Sequence, residues 1–212
     1  MILTIICSLL SVITFYLLKH FILVNDEENN LVTTKKEYII IPILLIINTI
    51  IFLKIFTGII NALLLSLIIA TIFICVYTDY QNKIVYRIYS ILLIILSILF
   101  ALINYNLYFN LNTISTICIM IAIIYVLTKS NCFGIGDALV LIGNDIILSI
   151  INPKYFIAEI LLWHFITAAI LMILFNLKEM NWKKLRFKKP IAFVPYIYIS
   201  TVLISILTLF LK

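Results

Sequence analysis

Long apolar stretches separated by short polar breaks repeat along the whole chain. A transmembrane helix needs about 20 apolar residues to cross a hydrocarbon core of about 30 Å, and most of these stretches approach that length. The pattern predicts eight membrane-spanning helices. They cover approximately residues 2–24, 39–56, 59–77, 88–103, 113–128, 138–151, 155–177 and 191–211. The break at Thr57-Gly58 is tight, and the sixth stretch crosses only with tilting or local bilayer thinning, so six or seven spans remain open. We therefore expect an all-α, polytopic membrane protein with one integral membrane domain, residues 1–212.

Composition supports this class and excludes several others. Of the 212 residues, 65% are hydrophobic and 11% are charged, whereas soluble domains carry about 25% charged residues. The formal net charge of +6 comes from basic residues in the polar breaks, where they orient a membrane protein, so a nucleic-acid partner is not expected. The four cysteines form no Cys-x-x-Cys pair, and His20 and His164 lie far apart, so we expect no metal and no cofactor. Residues 1–24 lack a basic n-region and a cleavage site, and are interpreted as a retained first span.

The basic residues predict an orientation. If the loop 178–190 is cytoplasmic, alternation of eight spans places three other segments on the same side, and the four together hold twelve of the fifteen basic residues. The three other segments are 19–37, 79–87 and 129–136. The exceptions are Lys54, Lys154 and Lys212. Since basic residues concentrate in cytoplasmic loops, we expect a multi-pass protein of the cytoplasmic membrane with both termini outside.

Two aspartates stand out against this apolar background. Asp79 follows the third predicted span and Asp137 precedes the sixth. A carboxylate at the centre of the bilayer costs roughly 2.5–3.5 kcal/mol, so one near that depth is a functional-site hypothesis by default. One predicted span out and one span back separate the two residues, which places both at the cytoplasmic face. The simpler interpretations are a solvated interfacial charge for Asp79 and a helix N-cap for Asp137.

Glycines immediately precede the second aspartate in Gly134-Ile135-Gly136-Asp137. Glycine permits backbone conformations that other residues avoid, and it leaves room for another backbone to approach. We expect Gly134 and Gly136 to let an extended substrate reach Asp137; simple loop flexibility is the alternative.

Three sequence elements together resemble a known family. They are the Gly-x-Gly-Asp motif ending at Asp137, the polar stretch and apolar span that follow Asp79, and Phe193-Val194-Pro195 opening the last span after a basic loop. This set resembles the type IV prepilin peptidases and the related preflagellin peptidases, which are intramembrane aspartic proteases, over most of the chain from about Ile60 onward. The resemblance implies that Asp79 and Asp137 are catalytic. It also implies an aspartic endopeptidase that cleaves the leader peptide of prepilin-like proteins at the cytoplasmic membrane face.

Several positions depart from the family pattern. The loop 25–37 is short and has no cysteine, where many bacterial members carry a larger segment with N-methyltransferase activity, so the resemblance implies a peptidase without that activity. Leu139 replaces a lysine found in many members, and Val85 replaces a frequent proline. The acidic residues of the first loop are interpreted either as attracting a basic leader or as a solvated polar loop. They are Asp26, Glu27, Glu28 and Glu37.

Asp145 supports a competing hypothesis. On a helix it lies about 12 Å deeper than Asp137, either as a structural carboxylate bonded to Asn48, Asn61 or another polar residue, or as a second choice for catalysis. With the two other aspartates it is also compatible with a small proton- or cation-coupled transporter. A non-catalytic scaffold is a third possibility, without positive support. The sequence leaves open the substrate, the oligomeric state and which aspartate acts as the base.

Overall fold

The computed structural model of the protein describes seven α-helices. The residues described are 2–25, 34–55, 58–104, 122, 125, 129, 134–152, 157–181, 186–187 and 191–211. The helices are α1 (Ile2–Asn25), α2 (Glu37–Ile55), α3 (Ile59–Asn82), α4 (Arg87–Ile103), α5 (Ile135–Ile151), α6 (Ile157–Phe175) and α7 (Val194–Leu211). Between α6 and α7 lie a 3-10 turn, Leu177–Glu179, and two short antiparallel strands, β1 (Met180–Asn181) and β2 (Arg186–Phe187).

The helical class is confirmed. Seven of the predicted spans overlap these helices, and of the remaining one, 113–128, the described residues include only 122 and 125. Within the described part of the chain, three helices are long and apolar enough to cross a membrane: α1, α2 and α3. α1 and α2 also expose many large apolar side chains along their length, as helices facing lipid do. The chain is therefore a helical membrane protein.

Helix α3 lies at the centre of the bundle. It packs against α1, α2, α4 and α7, and its residues from Ile68 to Cys75 are buried without interruption. A helix that is apolar on all sides is buried on all sides, which explains why no polar face is visible in this stretch. The second half of the bundle is built on α5, which packs against α4, α6 and α7.

The helix ends differ from prediction at both aspartates. α3 continues to Asn82 instead of ending at 77, and α5 begins at Ile135 instead of 138. α3 ends because Lys83 takes a left-handed backbone conformation with φ of 58°, from which its N–H donates to the Asp79 carbonyl at 2.9 Å. Both aspartates consequently lie within helical turns and not in the loops beside them.

Polar contacts define two ends of the bundle. At one end, here called the aspartate end, α3 ends and α4 begins. The first turns of α5 and α7 lie at the same end. Tyr89 at the start of α4 donates to the Leu18 carbonyl of α1 at 3.1 Å, which brings the last part of α1 to this end. At the opposite end Asn61 and Asn104 exchange side-chain hydrogen bonds of 3.2 and 3.1 Å, joining the start of α3 to the end of α4.

Candidate functional site

Asp79 lies one turn before the end of α3 and meets the start of α7. Its side chain is almost fully buried, with 4% of the residue exposed. One carboxylate oxygen, Oδ2, accepts the backbone N–H of Val194 at 2.9 Å, and the backbone of Phe193 also acts on this carboxylate. The first N–H groups of a helix have no intrahelical partner and carry the positive end of the helix dipole, so they suit a carboxylate. Pro195 fits here because a proline in the first turn sacrifices no intrahelical hydrogen bond.

Asp137 lies in the first turn of α5 and is half-buried. Its Oδ2 accepts the backbone N–H of Gly134 at 3.2 Å, while the Gly134 carbonyl accepts the Ala138 N–H at 3.1 Å. The N-cap residue is therefore Gly134. Asp137 stands three positions later and bonds back to it, as the acidic residue of a capping box does. The interpretation of Asp137 as the N-cap is wrong, because the N-cap lies three residues earlier. The helix begins before the continuous apolar stretch that was used to predict its start.

The two aspartates lie close enough to interact electrostatically. Asp137 precedes the apolar part of α5, and burial followed by the neighbouring Asp79 carboxylate raises its pKa to about 6, against the opposing effect of the Gly134 N–H. Two neighbouring carboxylates do not ionise independently, because the first charge opposes the second. A charge on Asp79 therefore makes ionisation of Asp137 less favourable.

The two glycines of the motif have different surroundings. A Cβ atom on Gly136 would lie 2.6 Å from Val85 Cβ and 3.1 Å from the Val85 carbonyl oxygen. A Cβ atom on Gly134 would meet only the Asp137 carboxylate, at 3.4 Å, and Gly134 is exposed. Gly136 thus permits the turn after α3 to pack on the first turn of α5, which brings the two aspartates together. Gly134 is the glycine that leaves open space beside Asp137.

A polar cluster that the sequence analysis did not predict lies at the same end. Glu37 accepts Gln81 Nε2 at 3.0 Å on Oε1, and on Oε2 it accepts the Thr34 N–H at 3.0 Å and the Tyr77 hydroxyl at 3.4 Å. Lys19, which is buried, donates to the Tyr77 hydroxyl at 3.2 Å. The cluster joins α1, α2 and α3 at the aspartate end of the bundle. The sequence pattern that could have indicated part of this cluster is the capping box formed by Thr34 and, three residues later, Glu37.

Of the four acidic residues predicted to attract a basic leader, the structure describes Glu37. Glu37 uses both carboxylate oxygens within the protein. Asp26, Glu27 and Glu28 lie outside the described residues. An attraction of the first loop for a basic leader stays a prediction.

Asp145 is sealed in a buried pair with His164. Asp145 Oδ1 lies 2.6 Å from His164 Nδ1, and both side chains have 0% exposure. His164 Nε2 lies 2.9 Å from the Ile197 carbonyl oxygen and 3.0 Å from Thr201 Oγ1. The pair ties α5, α6 and α7 together about 12 Å along α5 from Asp137. Asp145 thus lies apart from the aspartate pair.

Of the partners predicted for Asp145, Asn48 and Asn61 were wrong, whereas the third alternative, another polar residue, is confirmed by His164. Asn48 donates to the Leu44 carbonyl at 2.7 Å, and Asn61 pairs with Asn104 at the opposite end. The actual partner, His164, lies nineteen residues along the chain on the next described helix. Sequence spacing within one helix carries no information about such a contact.

In the described part of the chain, no three His, Cys, Asp or Glu side chains lie close enough together to bind one metal ion. The chain matches no protein-family model, no curated protein and no solved structure. What the protein does is therefore inferred from the geometry of the aspartate end.

Proposed function

We propose that the protein is an intramembrane aspartic endopeptidase with Asp79 and Asp137 as its catalytic pair. The observation that carries the proposal is the convergence of three separate segments: the end of α3, the start of α5 and the start of α7 meet around two coupled carboxylates. These segments are the same three that carry the resemblance to the prepilin peptidases. A purely structural role for Asp79 or Asp137 alone does not account for placing both at one end of the bundle.

The pair has the properties that acid–base hydrolysis requires. One carboxylate removes a proton from a water molecule, whose oxygen attacks the scissile carbonyl carbon, while the protonated partner donates to the carbonyl oxygen. When the tetrahedral intermediate collapses, the first carboxylate returns its proton to the departing amine, and the second recovers a proton from the intermediate. Atoms and charge balance without a covalent enzyme intermediate, a metal or a cofactor.

The substrate we propose is a prepilin-like protein, cut at the junction between its leader and its apolar N-terminal helix. Asp79 and Asp137 then lie at the cytoplasmic face of the cytoplasmic membrane, where the positive-inside rule places the loops 79–87 and 178–190. The eight-span arrangement belongs to this proposal. It agrees with the positions of Asn104 and Gly134 at opposite ends of the bundle, since the predicted span 113–128 connects them. The short loop 25–37 fits a peptidase without N-methyltransferase activity.

The test is co-expression with a prepilin-like substrate, with leader removal followed by the shift in substrate mass. Asp79→Asn and Asp137→Asn each keep the size of the side chain and should abolish cleavage. Glu159→Gln is the matched control, because Glu159 is an exposed carboxylate in the first turn of α6, at the opposite end of the bundle. Cleavage that survives both aspartate changes would sink the protease proposal.

One observation keeps the transporter hypothesis under test. The buried Asp145–His164 pair is an ionisable group inside the bundle, and within the described residues Asp145 Oδ2 and the Asn144 amide have no hydrogen-bond partner. A transporter should lose ion flux in liposomes on Asp145→Asn and keep it on Asp79→Asn. The peptidase proposal expects no flux from any of these proteins.

A further inference from the structure

We propose that the two aspartates are unequal: where the pair holds one proton, Asp79 is ionised and Asp137 carries that proton. The start of α7 fixes this assignment, with the Val194 backbone N–H as the positioning group. The catalytic meaning of the assignment rests on the proposed function. The location of the proton itself does not, since it follows from the groups around each carboxylate.

Burial disfavours a charge on Asp79, and three surrounding groups oppose that effect more fully than any group does at Asp137. Its carboxylate accepts the Val194 N–H at 2.9 Å, at the first turn of α7, and the Phe193 backbone adds a second interaction of the same sense. The Lys83 ammonium, one turn along the chain, is the described cation that acts on it. The Cys75 thiol lies one turn earlier and is buried, and it supplies no opposing charge. Hydrogen bonds and cations directed at a carboxylate stabilise its ionised form.

The surroundings of Asp137 favour a proton. Among the groups that act on Asp137, a single N–H donor, from Gly134, acts at the longer distance of 3.2 Å, and the neighbouring charge is the negative one of Asp79. Burial first, and then the Asp79 charge, raise the pKa of Asp137 to about 6 against the effect of the Gly134 N–H. When two carboxylates compete for one proton, the carboxylate with fewer donors and no cation retains it.

The assignment gives each residue a role in hydrolysis. Asp79, as the carboxylate, takes a proton from the attacking water, and Asp137, as the acid, gives its proton to the carbonyl oxygen. On collapse of the intermediate Asp79 passes its proton to the leaving amine, while a hydroxyl of the intermediate returns one to Asp137. The resting arrangement is restored after one turnover.

Carboxyl-carbon NMR locates the proton without any substrate. The chain has four aspartates, Asp26, Asp79, Asp137 and Asp145, so protein labelled with carbon-13 at the aspartate carboxyl gives four signals. Each signal is assigned by its loss in the corresponding Asp→Asn variant. In lipid nanodiscs the Asp79 signal should titrate at lower pH than the Asp137 signal. The reverse order, or equal midpoints, overturns the proposal.

Two proline variants test the positioning role through activity. Val194→Pro removes the N–H that Asp79 accepts, and proline is well tolerated at the first position of a helix. Gly134→Pro removes the N–H that Asp137 accepts, and the φ of −72° at Gly134 suits proline. Val194→Ala controls for the lost side chain, because it keeps the N–H.

The two variants should move opposite limbs of the pH profile of leader cleavage. Val194→Pro should raise the midpoint of the acidic limb by about one pH unit, since the base loses a donor. Gly134→Pro should raise the midpoint of the alkaline limb and leave the acidic limb in place. The assignment is overturned if Val194→Pro moves the alkaline limb and Gly134→Pro the acidic limb. It is also overturned if both variants move the same limb. Absence of cleavage by the unmodified protein refutes the peptidase proposal alone, because the NMR titration still decides where the proton lies.

Discussion

Replacing Gly136 by alanine tests how the two aspartate-bearing segments meet. The new Cβ atom would lie 2.6 Å from Val85 Cβ, 3.0 Å from its Cγ1 and 3.1 Å from its carbonyl oxygen. Val85 is β-branched and has no free rotation with which to retreat, and one of the three atoms belongs to the backbone. The clash is therefore relieved only when the turn 83–86 and the first turn of α5 move apart.

The structure gives a magnitude for this change. Overpacking of a well-packed contact costs about 1–3 kcal/mol, and a backbone obstacle places Gly136→Ala in the upper half of that range. Alanine recovers up to about 1 kcal/mol over glycine in a helix. We expect a net loss of about 1–2 kcal/mol in the free energy of unfolding. At about 2–4 °C per kcal/mol for a chain of this size, the thermal midpoint should fall by about 2–8 °C.

The assay is thermal unfolding of purified protein in detergent, followed by tryptophan fluorescence, with leader cleavage measured in parallel. Gly134→Ala is the matched control, because its Cβ atom would meet only the Asp137 carboxylate at 3.4 Å, and we expect little change in the midpoint. Adding Val85→Gly to Gly136→Ala removes two of the three obstructing atoms, so the double variant should be more stable than the sum of the single effects. Strictly additive effects, or an unchanged midpoint for Gly136→Ala, would refute the packing argument.

Three further predictions concern other residues. Asp145→Asn should cost about 3–5 kcal/mol of unfolding free energy, because it breaks a buried pair, whereas replacing Asp145 and His164 together by leucine should recover most of it; thermal midpoints compare the two. Asn61→Leu should lower stability by about 0.5–1.5 kcal/mol, and Asn104→Leu should add almost nothing on that background, as a double-mutant cycle would show. Because the pKa of Asp137 rises from 3.8 to about 6 on folding, stability should fall as pH rises through that window. Asp137→Asn should therefore raise the thermal midpoint above this window but not below it, and an equal gain at both ends would contradict the assignment.

The helices were predictable because hydropathy and length are properties of a single segment. The predicted spans 88–103 and 2–24 each differ from the observed helices by one residue at one end. The end of α3 was not predictable in this way, since residues 78–82 are polar or aromatic and the stop depends on the left-handed conformation of Lys83. Apolar character marks the part of a helix that lies in lipid, and a helix can continue beyond it.

The candidate site was predictable only as a set of residues. The sequence pointed to Asp79, Asp137 and the Phe193-Val194-Pro195 element, but it gave no reason why the last should touch the first. That contact joins residues 115 positions apart in the chain. The Asp145–His164 pair was missed for the same reason, since a hydropathy pattern does not say which helices are neighbours. The need for glycine at position 136 was likewise not predictable, because it depends on contact with Val85 in the turn between α3 and α4.

The hydrogen bond from Val194 to Asp79 links the site to the order of synthesis. Asp79 and Asp137 both emerge from the ribosome and enter the bilayer well before α7, yet the donor to Asp79 belongs to the first turn of α7. An intermediate that has inserted α1 to α6 thus holds both carboxylates without the group that orients one of them. In the proposed hydrolase, such an arrangement delays assembly of the catalytic site until the bundle that encloses it is nearly complete.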